Sequence, residues 1–284
     1  MKYAFFPGCK TAYHLKSYEV STRAVCKALH IELIDLEFNC CGYPVRHQNE
    51  TAAIFSAARN MALAGRHGCR IMPICQCCFG QLKHAAYWLA RDQKLRGEIN
   101  ALLAGENLCW EPDMHIAHLL SVLRHDIGEA GIRARVKKPL DGLKVAAHYG
   151  CHALRPGHVV RFDNPMAPTI FEELLSLTGA RPVDWARRLE CCGHPLLGKN
   201  NRLSLHLMEK KFDSALDSGA RIIGTACTHC QIQFDTVRRA TAGDGTGHRD
   251  ITAVLYTQML GLSFGLEGGE LGLTNKVVAN MITA

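Results

Sequence analysis

Short apolar runs alternate along the chain with stretches whose apolar positions recur at helical spacing. Lys2-Tyr3-Ala4-Phe5-Phe6, Ile31 to Leu36 and Gly68-Cys69-Arg70-Ile71-Met72 read as buried strands. Lys144-Val145-Ala146-Ala147-His148 and Gly219-Ala220-Arg221-Ile222-Ile223 repeat the first and third of these. Between them, Phe79, Leu82, Ala86 and Leu89 share one helical face, as do Leu203, Leu207, Met208, Phe212, Ala215 and Leu216. Ile170, Phe171, Leu174, Leu175 and Thr178 form a third face, with Pro168 placed in the first turn. Each half therefore reads β-α-β-α-β-α, which predicts an α/β fold of two tandem pseudo-symmetric domains, each a small parallel sheet flanked by helices. Further apolar helices are expected over Met114 to Asp126 and Asp250 to Phe264, and Gly68, Gly128, Gly219 and Gly265 sit where helix C-caps belong. Residues 126–143 read as a linker, giving domains 1–140 and 141–284, and the tail from Glu267 as either loosely held or laid on a partner.

Composition narrows the class. At 284 residues, with 48% hydrophobic and 21% charged positions, the chain has a globular profile and is long enough for two domains with a core each. The net charge of +7 suits anionic ligands or acidic surfaces, but no basic run interleaved with aromatics points to nucleic acid. No apolar stretch approaches the roughly 18 residues of a membrane span. The few apolar residues before Pro7-Gly8-Cys9 are too short for a signal-peptide core, so a cytoplasmic location is expected, with any approach to the inner membrane face made through partners.

Fourteen cysteines in such a setting read as metal ligands or redox groups rather than disulfides. Cys40-Cys41 and Cys191-Cys192 are adjacent in sequence, and a bridge between neighbours would be strained. The pattern is written twice. Cys9, Cys40-Cys41-Gly42 and Cys75/Cys78 are followed by Cys151, Cys191-Cys192-Gly193 and Cys227/Cys230. The offset is 142 residues at the first cysteine and 151 or 152 at the rest, so the second copy carries about nine extra residues, assigned to a loop within Arg155 to Pro168. Each motif follows a predicted strand, at the edge where open α/β sheets bind ligands. Thiolate selects zinc, copper(I) or iron–sulfur centres. A zinc site or a cubane cluster takes four ligands, whereas each copy here offers five, which favours a less regular iron–sulfur cluster or an exchangeable ligand.

The doubled pattern resembles the cysteine-rich CCG-domain family, and most closely the B subunits of heterodisulfide reductases, over nearly the whole chain from Phe6-Pro7-Gly8-Cys9 to Gln258-Met259-Leu260-Gly261-Leu262. The resemblance implies two non-cubane 4Fe-4S clusters facing one another across a pseudo-two-fold axis. Their ligands would be Cys9, Cys40, Cys41, Cys75 and Cys78, and Cys151, Cys191, Cys192, Cys227 and Cys230. It implies an oxidoreductase subunit that cleaves or forms a disulfide between the clusters, with a disulfide or thiol as substrate. The chain lacks a Cys-x-x-Cys-x-x-Cys run and a Gly-x-Gly-x-x-Gly fingerprint, so no flavin is expected on it. The resemblance then implies electron transfer through two partners, a cubane-cluster subunit like the C component of heterodisulfide reductase and a flavin subunit like its A component. Three other readings stay open: an electron-relay subunit of a quinone-linked dehydrogenase (succinate, glycolate or glycerol-3-phosphate type), a sulfur-oxidising complex, and a zinc-held scaffold. An amphipathic helix at the membrane surface would support the first, and residues 250–264 are the candidate.

Around the cysteine pattern, His148, His152 and Arg155 flank Cys151 and are candidates for orienting or protonating a thiolate, against a bland reading as local hydrogen bonding and surface charge. Cys26, Cys69, Cys77 and Cys109 have no counterpart in the other half and read as packing cysteines, with Cys77 distinguished by its place inside a Cys-x-x-Cys. His229 either tunes a cluster or faces solvent. The Arg187-Arg188 pair reads as a solvated face.

Overall fold

The computed structural model describes residues 1–241 and 251–283. The first half runs β1 (Lys2–Phe6), α1 (Cys9–His14), α2 (Lys16–Ala28), β2 (Glu32–Ile34), α3 (Glu50–Arg66), β3 (Arg70–Pro73), α4 (Gln76–Arg91), α5 (Gln93–Leu103), α6 (Leu119–Ser121) and α7 (Gly128–Arg133). The second begins β4 (Lys144–His148), α8 (Cys151–Leu154), α9 (Gly157–Val160), α10 (Ile170–Ser176), β5 (Arg181–Val183) and α11 (Asn201–Asp217). It closes with β6 (Ile222–Thr225), α12 (Thr228–Gln231), α13 (Arg238–Thr241), β7 (Thr252–Leu255), α14 (Tyr256–Ser263) and α15 (Asn275–Thr283).

The strands form two wholly parallel sheets, ordered β2-β1-β3 and β5-β4-β6-β7. β1 and β4 are central, and their four last residues are buried on both faces, which is why they read as continuous apolar runs rather than alternating ones. The repeat extends to the caps. Asn49 accepts from the Ala52 amide at the start of α3, and Asn200 accepts from the Leu203 amide at the start of α11.

Both expected closing helices begin as extended chain. In the first half Ile116 bridges Ile71 in parallel, with Ile71 hydrogen-bonded to His115 and Ala117, so an isolated bridge lies beside β3 before α6 begins. In the second half the same role falls to β7, and only α14 is helical; Asp250 lies outside the described residues. Apolar runs at these places serve strand and helix equally, and the open edges of β3 and β6 decide for strand. The 126–143 linker contains α7, and the 155–168 loop contains α9. Pro168 precedes its helix rather than opening it, since α10 starts at Ile170 behind Thr169. The tail from Glu267 packs on its own chain: Leu271 and Met281 are buried, and the Leu271 carbonyl accepts from Gln258.

The two halves do not keep separate cores. One apolar cluster joins Phe5, Tyr18 and Met72 to Val145, Phe171 and Leu255. The other joins Phe6, Met61 and Ile71 to Trp185, Phe212 and Phe234. Buried hydroxyl pairs cross the seam, Thr11 with Thr228 at 2.9 Å and Ser21 with Thr257 at 2.7 Å.

Candidate metal centre

All ten patterned cysteines lie just past the carboxyl ends of strands, or in the loop that follows β2 or β5. Cys9 and Cys151 open α1 and α8 behind Gly8 and Gly150, both at positive φ. Cys75 and Cys227 are the N-caps of α4 and α12, which places Cys78 and Cys230 one turn inside. Gly42 and Gly193, at φ 88° and 89°, turn the chain directly after each cysteine pair. A Cβ on Gly42 would lie 2.4 Å from the Ala53 carbonyl oxygen, and one on Gly193 equally close to that of Ser204. Only glycine fits there.

Side-chain neighbours order the thiols into two arcs. In the first, Cys9 meets Cys40 at 3.8 Å, Cys40 meets Cys41, Cys41 meets Cys78, and Cys78 meets Cys75. In the second the order repeats as Cys151, Cys191, Cys192, Cys230 and Cys227. The arcs join where Cys75 Sγ lies 4.0 Å from Cys227 Sγ. Each arc borders a small pocket of about 10 Å³.

Such crowding sets the chemistry of the donor set. Hydrogen bonds from Cys40 and then Cys78 pull the Cys41 thiol down to about 5, and bonds from Cys151 and Cys192 pull Cys191 down further. The partners move the other way: Cys9 is raised chiefly by its bond with Cys40, and Cys151 by its bond with Cys191. Five touching thiols cannot all ionise together without a cation to offset their repulsion. A thiophilic metal centre would supply that cation and would ionise the remaining thiols. Gln76 adds a second sign of fit: it lines the second pocket beside six cysteines with neither side-chain amide atom hydrogen-bonded, an orphaned buried polar group.

The pockets are built jointly. Gln76 of the first half lines the second-half pocket, while Thr228 of the second half lines the first. Cys77 and His229, which occupy matching places in the two motifs, line both. Cys77 is thus no ordinary packing residue. Its Sγ lies within 4.8 Å of those of Cys75 and Cys227, and 3.6 Å from His152 Nδ1. Its position inside a Cys-x-x-Cys was the available signal in the sequence. His229 stacks edge-on with Tyr43 and His194 and faces the pockets rather than bulk solvent.

The three candidates beside Cys151 separate. His148 is buried, with Nε2 3.2 Å from Cys230 Sγ, so it contacts one of the patterned thiols rather than open solvent. His152 stands at the rim. Its Nε2 is 3.4 Å from the Arg46 guanidinium, which can only donate, so the ring proton sits on Nδ1, 3.4 Å from Cys151 Sγ. Burial, aided by Arg46, lowers His152 to about 4 and keeps the ring neutral near pH 7. Arg155 is exposed and donates to the Leu189 carbonyl. His152 and Arg155 also line an open groove of about 450 Å³ with Arg46, His47, Glu50 and His84.

Cys26 is a core residue as expected, but Cys69 and Cys109 line a separate open cavity of about 500 Å³. Cys69 precedes β3, so that cavity lies at the opposite sheet edge from the arcs, despite being roomier. Arg187 and Arg188 are engaged in ion pairs with Glu190 and Glu172.

Comparison with known proteins follows the same repeat. A family model described as a cysteine-rich domain, CCG, matches residues 3–83 and again 145–235. The chain is 31% identical to the 8-methylmenaquinol:fumarate reductase membrane anchor subunit of Wolinella succinogenes, over 98% of this chain and 97% of that one. It is 28% identical to the B subunit of the ferredoxin/F(420)H(2)-dependent CoB-CoM heterodisulfide reductase of Methanosarcina acetivorans, over 99% and 95%. The crystal structure of a hypothetical protein from Helicobacter pylori shares the fold, with a TM-score of 0.75 at 16% identity. That match covers 95% of this chain and spans half of the other.

Proposed function

The chain belongs to the cysteine-rich CCG-domain family, and from that premise we propose that it is the iron–sulfur, disulfide-handling subunit of a heterodisulfide-reductase-like complex. The observation that carries this reading is the meeting of two five-thiol arcs at Cys75 and Cys227, 4.0 Å apart. Splitting a disulfide takes two electrons and two protons and yields two thiols. Two clusters, when bound, supply one-electron chemistry and thiol-accessible iron on either side of one seam. The chain's own residues provide the rest. Cys9, Cys40, Cys41, Cys75 and Cys78 would hold one cluster, and Cys151, Cys191, Cys192, Cys227 and Cys230 the other.

Entry is assigned to the groove at His152. Arg46 and Arg155 present donors to an anionic thiol or disulfide, and the neutral His152 offers its Nδ1 proton toward the sulfurs at the rim. Partner subunits would carry electrons to or from the chain, one with cubane clusters and one with flavin. Among the described residues no helix is long and apolar enough to cross a membrane.

A second reading, an electron relay in a quinone-linked enzyme, is favoured by the Wolinella relative, which is named for anchoring to a membrane. The surface helix that would support it is not found over the described residues 251–264, since α14 is buried along most of its length.

Metal and sulfide content of anaerobically purified protein, with EPR after stepwise oxidation in the presence of thiols, tests both readings. Roughly eight irons per chain and a thiol-dependent signal are expected. The same iron without thiol sensitivity would favour the relay, and stoichiometric zinc with little iron would sink the cluster assignment.

A further inference from the structure

The near-symmetry of the two halves makes their differences informative. In the first half Asn60, fully buried in α3, ties down the loop ahead of the cysteine pair. Its Nδ2 donates to the carbonyls of Asn39 and Cys40, and its Oδ1 accepts from the Asn39 amide. The matching position in α11, by the same 151-residue offset as the Cys-Cys-Gly, is Lys211. It is equally buried and does the same work, its Nζ donating to the carbonyls of Arg187 and Glu190, the latter the counterpart of Asn39.

The hydrogen-bonding role is kept, but a full positive charge is added. Among the described residues no carboxylate pairs with that ammonium; it lies 4.7 Å from the Trp185 ring. Burial draws Lys211 down to about 8, against the upward pull of the nearby Cys192 and Cys230 and of the Glu190 carboxylate. A buried cation without a carboxylate is costly unless it faces negative charge. The thiolates of a loaded second-half site would add to the Glu190 carboxylate as negative charge around it.

A second difference points the same way. β1 ends on Phe6, whose ring packs on Phe38 at 5.1 Å. β4 ends, at the matching place, on His148, whose Nε2 reaches Cys230 Sγ at 3.2 Å while Nδ1 has no partner. Against a ligand thiolate the imidazole is the donor, and the first half has only a phenyl ring there.

Cations and hydrogen bonds to ligand sulfur favour the more negative, reduced state of an iron–sulfur centre. Exposure of Cys9 favours reduction of the first site as well, but a charge in the interior acts about fourfold more strongly than one screened by water. We propose that Lys211 and His148 make the second-half site the electron sink of the pair, so that electrons entering at the exposed Cys9–Cys40 edge pass to the arc beside the groove. With both clusters bound, a one-electron iron–sulfur donor would give one electron to the first-half centre, which would hand it to the second-half centre and return to its starting state, so that the donor is oxidised by one electron and the second-half centre reduced by one. The proposal rests on the two-cluster reading, and it makes Lys211 and His148 tuning residues that never touch substrate.

The test is a potentiometric titration of the anaerobic full-length protein, followed by EPR and visible absorbance, on wild type, Lys211→Asn, His148→Phe and Asn60→Lys. Iron is counted in each sample. About eight irons in the wild type keep the two-cluster reading intact; fewer would count against that reading and not against the tuning residues. The wild type is expected to show two separated potentials. Lys211→Asn and His148→Phe should each lower the higher one by at least a tenfold change in the reduced-to-oxidised ratio, about 59 mV for one electron, and leave the lower one in place. Asn60→Lys should raise the lower one. Equal potentials in the wild type, or full-iron variants with both potentials unmoved, would overturn the proposal. Should the first two variants lose second-half iron, Asn60→Lys decides: an unchanged first-half potential overturns it as well.

Discussion

Single residues make the thiol arcs possible, and the two glycines behind the cysteine pairs are the most demanding of them. Gly42 and Gly193 combine a left-handed backbone with a neighbouring carbonyl that would meet a Cβ at 2.4 Å. The φ penalty alone is about 1 kcal/mol for a non-glycine residue, and the contact with helix backbone adds to it because a backbone atom has no rotamer to escape into. Gly42→Ala is therefore expected to displace Cys40 and Cys41 and to bring iron from about eight to about four per chain, with Gly193→Ala doing the same to the other half. Iron and sulfide analysis of the folded variants checks this; full iron in either would show that the turn can relax. The importance of these glycines was legible in the sequence from the Cys-Cys-Gly repeat. The role of Gln76 and the shared position of Cys77 were not, because no local rule tells which pocket a residue at the start of a helix will face.

At the scale of elements, the strand-like segments ahead of α6 and α14 show what periodicity alone leaves undecided. The first is fastened by His118. Its Nε2 donates to the Ile74 carbonyl at 3.2 Å and its Nδ1 accepts from the Leu120 amide at 3.2 Å, capping α6. That pair of bonds requires the neutral ring, and burial lowers His118 to about 4. The unfolded chain takes up this proton near pH 6.5, so it binds more protons than the folded chain between about 6.5 and about 4. Stability is then full above about 6.5 and falls as pH drops through that window, by on the order of 3 kcal/mol from this residue. His118→Asn keeps a cap acceptor and should flatten this part of the acid limb. Urea unfolding of the apo protein at pH 7 and pH 5 measures it; an equal pH dependence in variant and wild type would assign the acid loss to other groups.

For the whole molecule, the repeat describes ancestry of pattern better than independence of parts. Units 1–140 and 141–284 remain our proposal for the two copies, yet both apolar clusters draw on both, and each thiol pocket is completed by residues of the other half. Neither unit expressed alone is expected to fold, since each would expose half of two cores and leave Thr11, Ser21, Thr228 or Thr257 without its buried partner. The intact chain should unfold in one transition by circular dichroism. Independent folding of residues 1–140, with sharp melting of its own, would contradict the shared core.

What the sequence determined by itself was the inventory and its order: an α/β chain written twice, five thiols per copy, each motif placed after a strand. Those features are local or periodic, and short-range spacing carries them. Tertiary structure decided which thiols are neighbours, which half completes which pocket, that His148, the counterpart of Phe6, reaches a patterned thiol, and that Lys211, the counterpart of Asn60, donates to the loop carbonyl matching that of Asn39. These depend on how the two parallel sheets are packed across a common core, and that packing is set by contacts between residues more than a hundred positions apart, which no window of sequence contains.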